Sequence, residues 1–159
     1  MKKEDKTNVM RLLEAAGIPY EAYAYEADGG ALSGSDAARK LGLDPEMVFK
    51  TLVTVGKSGE NYVFVIPVDE ELDLKKAAAA VNEKSIAMIK SKELLPLTGY
   101  IHGGCSPIGM KKLLTTTVDE TAQLFDSICF SAGKIGHQVR ISPEQLEQMI
   151  PLSYADLTV

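Results

Sequence analysis

Two runs rich in β-branched and aromatic residues, 48–55 and 62–68, flank the polar loop Gly56-Lys57-Ser58-Gly59, and this pair constrains the fold more than any other feature. Residues of that type suit a pleated, packed surface, and a short glycine-bearing loop turns one strand back on the other, so the spacing predicts an antiparallel hairpin. The flanks carry short helices. Thr7 or Asn8 caps a helix with Val9, Leu12, Leu13 and Ala16 at helical spacing and Gly17 at its end, and a strand follows Pro19 over 20–25. Ser35 caps a helix over 36–41 that stops at Gly42, and Pro45 starts a further helical turn.

Beyond the hairpin, Asp73 opens an alanine-rich helix over 74–81, with a strand at 86–89 and a helical turn at 91–95. Strands are expected at 114–118, 127–131 and 138–141. Ser142-Pro143-Glu144-Gln145 forms a capping box with proline at N1, ahead of Leu146, Met149 and Ile150. Hairpins among short helices imply an α+β fold. With no repeat or composition break, one domain over residues 1–159 is expected.

The 45% apolar and 25% charged residues lie near the globular average. No signal-peptide pattern or bilayer-length apolar run stands out, which places the chain in the cytoplasm and away from membranes. Cys105 and Cys129 are too few and too far apart for a disulfide framework or a C-x-x-C motif. The net charge of −5 conceals an uneven distribution: residues 74–140 hold 9 basic and 5 acidic residues, a +4 stretch in an acidic chain. Such a stretch is either a solvated face or a docking surface for phosphates.

Three segments carry candidate chemistry. Lys50 interrupts the apolar run Phe49-Lys50-Thr51-Leu52 at a strand start, where its ammonium either snorkels to water or meets a phosphate or carbonyl. The stretch from Gly99 to Gly109, Gly-Tyr-Ile-His-Gly-Gly-Cys-Ser-Pro-Ile-Gly, lets backbone N–H groups approach a ligand and lacks Walker spacing. A third loop, Ser131-Ala132-Gly133-Lys134-Ile135-Gly136, places a lysine between glycines. His102 and His137 are the only histidines, so a metal site would need ligands gathered from distant positions, and no cofactor motif is present. Asp69, Glu70 and Glu71 read as solvated charges ahead of a helix.

Together, Phe49-Lys50-Thr51-Leu52, Gly99-Tyr100-x-x-Gly103-Gly104-x-Ser106-Pro107-x-Gly109 and Ser131-x-Gly133-Lys134-x-Gly136 resemble the YbaK/EbsC family of aminoacyl-tRNA deacylases, over roughly residues 9–156. The resemblance implies a compact α+β fold around a curved mixed sheet, shared with the editing domain of bacterial prolyl-tRNA synthetases. It further implies trans-editing of Cys-tRNA(Pro), with Cys-tRNA(Cys) also accepted, without a cofactor. The substrate thiol would attack its own ester, a lyase-like cleavage that needs no protein nucleophile.

On the same resemblance Lys50, Gly103 and Gly104 are the catalytic positions. Lys50 steadies the terminal adenosine or aminoacyl group with Thr51 beside it, and the glycine backbone faces the ester. Tyr25, Ser106, Pro107, Lys134 and Gln138 are the remaining substrate-binding candidates. The implied partners are the tRNA acceptor end, with Lys75, Lys76, Lys111, Lys112 and Lys134 as candidate phosphate ligands, and prolyl-tRNA synthetase.

Two positions depart from the family pattern. Gln138 stands where cysteine-specific members commonly carry aspartate, and Ser33 falls near a position that is often aromatic. Both open the alternative of an alanyl or other small aminoacyl ester. A non-catalytic binding module on the same fold and a thiol hydrolase using Cys105 are the other readings.

Overall fold

The computed structural model describes residues 6–26 and 34–159. Eight strands form two hydrogen-bonded sheets. In chain order they are β1 (Glu21–Ala24), β2 (Phe49–Gly56), β3 (Asn61–Pro67), β4 (Ile86–Met88), β5 (Thr115–Asp119), β6 (Ile128–Ser131), β7 (His137–Ile141) and β8 (Ser153–Ala155). The five-stranded sheet runs β4-β2-β3-β5-β8 and the three-stranded one β1-β7-β6. The first is mixed: β2 pairs antiparallel with β3 and β4, while β3–β5 and β5–β8 are parallel. A parallel bridge between Val48 and Cys129 links the two sheets.

The expected hairpin is β2–β3, with Val53 opposite Val63. Its second strand lies at the centre of its sheet, so both faces are covered and its apolar residues run without alternation. Val63 and Val65 enter the larger core with Phe49, Phe130, Val139 and Leu146. Tyr62, Phe64 and Ile66 pack on the other face against Ala77, Ala78 and Leu157.

Five helices close the faces: α1 (Asn8–Ala15), α2 (Gly34–Lys40), α3 (Leu74–Ala80), α4 (Ser91–Thr98) and α5 (Pro143–Met149). Thr7, Asp73 and Ser142 provide the expected N-caps, and Gln145 completes the capping box. Val9 and Leu13 are buried on α1 as expected, but Met10 joins them in place of Leu12 and Ala16. Both stripes satisfy helical spacing, and the position of the core selects between them. Ser35 falls inside α2, where its hydroxyl accepts from Arg39.

α4 passes through Pro96, where a stop was expected, and ends at Gly99 in the left-handed region (φ 84°). Thr98 Oγ1 donates to Leu94 C=O and accepts from Tyr100 N–H, fastening that last turn. β8 and the 3-10 turn Glu120–Leu124 had no sequence expectation. Buried Asp119 builds both: its carboxylate accepts from Thr121 N–H and Oγ1 on one side and from Leu157 N–H at 2.9 Å on the other.

Candidate functional site

The free edge of β2 opens onto a cleft of about 500 Å³. All five residues 49–53 line it. Successive side chains of a strand point to opposite faces, so five in a row reach one cleft only if it also meets the backbone edge. Beyond β2, the walls are Met88, Ile89, Ser91 and Leu94 on one side, and His102, Gly103 and Cys105 of the first glycine loop. Ser131, Gln138, Tyr25, Ala37 and Val68 complete it.

The two sheets and two glycine loops bring these positions together. Because Val48 and Cys129 bridge in parallel, Lys50 and Ser131, each two residues further on, lie at one level, and Ser131 is opposite Gln138. Tyr25 follows β1 and donates its N–H to Gly136 C=O at 2.9 Å. A Cβ on Gly136 would lie 2.7 Å from the Tyr25 carbonyl oxygen, and its φ of +88° favours glycine as well.

The loop over 99–109 is built around Tyr100. Its hydroxyl donates to Ile108 C=O at 2.5 Å, while Ser106 Oγ accepts from Ile108 N–H. Lys111 N–H to Thr98 C=O, 2.9 Å, closes the loop at its base. The same tyrosine ring presses on the third motif, since a Cβ on Gly133 would meet Tyr100 Cε1 at 2.9 Å. Gly104 lies against the backbone of Lys134 and Ile135, 3.2 Å from the Ile135 nitrogen at the Cβ position. The glycines of both motifs therefore let two loops and α1 pack together.

Of the expected site residues, Lys50, Thr51, Gly103, Tyr25 and Gln138 share the cleft. Gly104, Ser106, Pro107 and Lys134 are not among its lining residues: the first three are buried in the loop and Lys134 is exposed on the next one. Ser33 lies outside the described residues. The apolar wall of Leu52, Met88, Ile89 and Leu94 was not anticipated, because isolated apolar residues near strand ends read as core. Ser131 carried a signal, as the first residue of the third motif.

Among the described residues, Lys50 and His102 are the basic side chains of the lining, and no carboxylate lines it. None of the ion pairs found among the described residues involves Lys50. Thr51 Oγ1 and Gln138 Oε1 are buried without a hydrogen-bond partner among the described residues. Orphaned polar atoms facing a cleft are a feature of binding sites, since a ligand supplies the missing partner. Burial pushes the Cys105 thiol up to about 12, so at neutral pH it is protonated and a poor nucleophile.

The chain is similar to known proteins. The model of the aminoacyl-tRNA editing domain matches residues 30–149, a span that includes Lys50, both glycine loops and Gln138. The chain belongs to the aminoacyl-tRNA editing domain family. Over 157 residues, 99% of this chain and 96% of its relative, this editing domain is 43% identical to EbsC of Enterococcus faecalis, described as a candidate Cys-tRNA(Pro)/Cys-tRNA(Cys) deacylase. A proline–tRNA ligase of Shouchella clausii is 28% identical over 109 residues, covering 68% of this chain and 19% of the ligase.

The fold is shared as well. A crystal structure described as a candidate trans-editing enzyme for prolyl-tRNA synthetase superposes with a TM-score of 0.83 at 25% identity, over 96% of this chain and 98% of that one. The editing-domain fold also covers a hypothetical protein at a TM-score of 0.85 and 21% identity, over 96% and 100% of the two chains.

Proposed function

We propose that this chain, as one domain over its 159 residues, is a cytoplasmic trans-editing deacylase that removes misattached cysteine from Cys-tRNA(Pro), and from Cys-tRNA(Cys), by substrate-assisted attack. The observation that carries this reading is a cleft with an unpaired ammonium at Lys50 and no activated protein nucleophile. The one cysteine of the lining is held protonated, and no hydrogen bond joins His102 to a serine or cysteine among the described residues. A substrate that brings its own nucleophile needs only orientation and charge stabilisation.

In the proposed step the cysteinyl thiol sulfur bonds to the ester carbonyl carbon and the bond from that carbon to the ribose oxygen breaks. The thiol proton ends on the leaving ribose hydroxyl, and the amino acid departs as a thiolactone. Lys50 steadies the terminal nucleotide or the developing oxyanion, and Gly103 offers backbone close to the ester. Gly104, Ser106, Pro107 and Lys134 act through loop shape. The lyase-like character follows from the absence of water in the bond-breaking step.

The acceptor end of tRNA is the macromolecular partner, and its CCA terminus carries no identity information. An association with prolyl-tRNA synthetase would supply tRNA(Pro) selectivity by raising effective concentration, a reading supported by similarity to part of a proline–tRNA ligase and to a structure described as trans-editing for that synthetase. Gln138 favours a second reading. Without a carboxylate at that position, an alanyl or other small aminoacyl ester is the competing substrate, one that must be cleaved by water.

The deciding experiment measures deacylation of Cys-tRNA(Pro), Cys-tRNA(Cys) and Ala-tRNA(Pro) by the protein and by Lys50→Ala, with trapping of the released product. Cysteine-selective turnover with a thiolactone, lost in Lys50→Ala, is expected. Faster release of alanine would move the function to the second reading, and no turnover of any ester would leave a binding module.

A further inference from the structure

Thr51 lines the cleft, and its main chain is turned away from β3 with no backbone partner found among the described residues. Val68 N–H to Val48 C=O and Gly56 N–H to Glu60 C=O are bonds across the β2–β3 hairpin, so the even-numbered residues of β2 direct their N–H and C=O groups to β3. The odd-numbered ones face the other way. There β4 covers Val55 opposite Ala87, and Ile89 N–H reaches Val53 C=O at 3.4 Å. In the same register Ser91 would lie opposite Thr51, but the chain leaves the sheet and begins α4 at that residue. From the other end, the parallel bridge Val48–Cys129 brings β6 alongside the start of β2, but no ladder between β6 and Thr51 follows it among the described residues.

The edge is therefore open at Thr51, beside the cleft. Its N–H and C=O have the spacing of one antiparallel hydrogen-bonded pair, which a single α-amino acid unit fills by exchanging both bonds. Thr51 and Gln138 both line the cleft, and Thr51 Oγ1 and Gln138 Oε1 are buried with no hydrogen-bond partner among the described residues. Among the described residues no carboxylate lines the cleft, and the Thr51 C=O is the acceptor that the open edge offers to an ammonium.

We propose that the free edge at Thr51 binds the aminoacyl main chain as a one-residue strand, with Thr51 C=O accepting from the α-ammonium and Thr51 N–H donating to the acyl carbonyl oxygen. This rests on the deacylase reading and adds to it a recognition element blind to the amino-acid side chain. Selection for α-amino acids thus resides in the backbone of β2, and selection among them in the surrounding walls.

The test begins with turnover of Cys-tRNA(Pro) and Ala-tRNA(Pro) by the unmodified protein, because loss of both would overturn the deacylase reading itself. An acceptor-stem minihelix ending in an amide-linked, non-hydrolysable alanyl group is then the probe, with Kd as the readout. Replacing Thr51 by its α-hydroxy counterpart, which turns the N–H into an ester oxygen, is expected to weaken binding about 10- to 100-fold, the range of one hydrogen bond to a strong acceptor. With the unmodified protein, a propionyl probe that lacks only the α-amino group is expected to bind more weakly by a similar factor. If either change leaves Kd within about twofold, in a protein that still turns over ester, the paired binding is wrong and the deacylase reading stands.

Discussion

Lys50 gains its character from its neighbours more than from its own position. It sits half-buried at the start of a strand, beside Thr51 and Leu52, in a cleft where no carboxylate among the described residues pairs with it. Lys50→Met keeps much of the aliphatic stem and removes the charge, so kcat/KM for aminoacyl-tRNA is expected to fall by about 100-fold or more with the melting temperature nearly unchanged. Cys105 presents the opposite case. Its thiol, pushed up to about 12 by burial, is protonated below that pH, and alkylation by iodoacetamide is expected to be slow at pH 8 and to rise about tenfold per pH unit as the thiolate fraction grows. Cys105→Ala is expected to retain turnover, and its loss would restore the thiol hydrolase reading.

At the scale of elements, two glycine loops and the end of β1 share one packing problem. Tyr100 fills the space that side chains on Gly109 and Gly133 would occupy, and Gly136 admits the backbone of Tyr25. Gly136→Ala adds a Cβ 2.7 Å from the Tyr25 carbonyl oxygen on a backbone with φ +88°. It is expected to destabilise the fold by roughly 1–3 kcal/mol, read by denaturant unfolding, and to raise KM by displacing Tyr25 from the cleft. The cap at Asp119 serves a longer-range purpose, joining the end of β5 to Leu157. Asp119→Ala leaves buried N–H groups unpaired, and thermal unfolding is expected to show a loss of about 2–3 kcal/mol.

Over the whole molecule, the lysines expected to meet phosphate fall into two groups. Lys76 is held by Asp156 at 2.9 Å and by Thr158 C=O at 2.7 Å, an arrangement that anchors the C-terminal segment to α3. Lys111 and Lys112 are exposed and in no ion pair among the described residues, and Lys111 lies at the base of the loop that carries Gly103. Replacing Lys111 and Lys112 by Ala is expected to weaken minihelix binding and reduce the slope of log Kd against log salt, by about 0.7–0.9 for each phosphate that is no longer neutralised. Lys76→Ala is expected to leave that slope unchanged and lower thermal stability. No helix among the described residues is long and apolar enough to cross a membrane.

Local chemistry sufficed for much of this fold. The caps at Thr7, Asp73 and Ser142, the hairpin over β2 and β3, and the stops at Gly17 and Gly42 follow from short-range hydrogen bonding and backbone preference, which a few neighbouring residues determine. The motifs marked Lys50, Thr51 and Gly103 as candidates and the family resemblance added Tyr25 and Gln138, and these five line one cleft. Tertiary structure alone decided what could not be local. It turned α1 onto Met10, split the strands into two sheets, drew β8 alongside β5, and separated Ser106 and Lys134 from the cleft they were expected to line. It also ended β4 opposite Thr54, short of Thr51, and Ser91 begins a helix instead of continuing the sheet. Each of these depends on which distant surface a residue meets, and side chains of the same type satisfy the same local pattern whether they face the core, the solvent or a ligand.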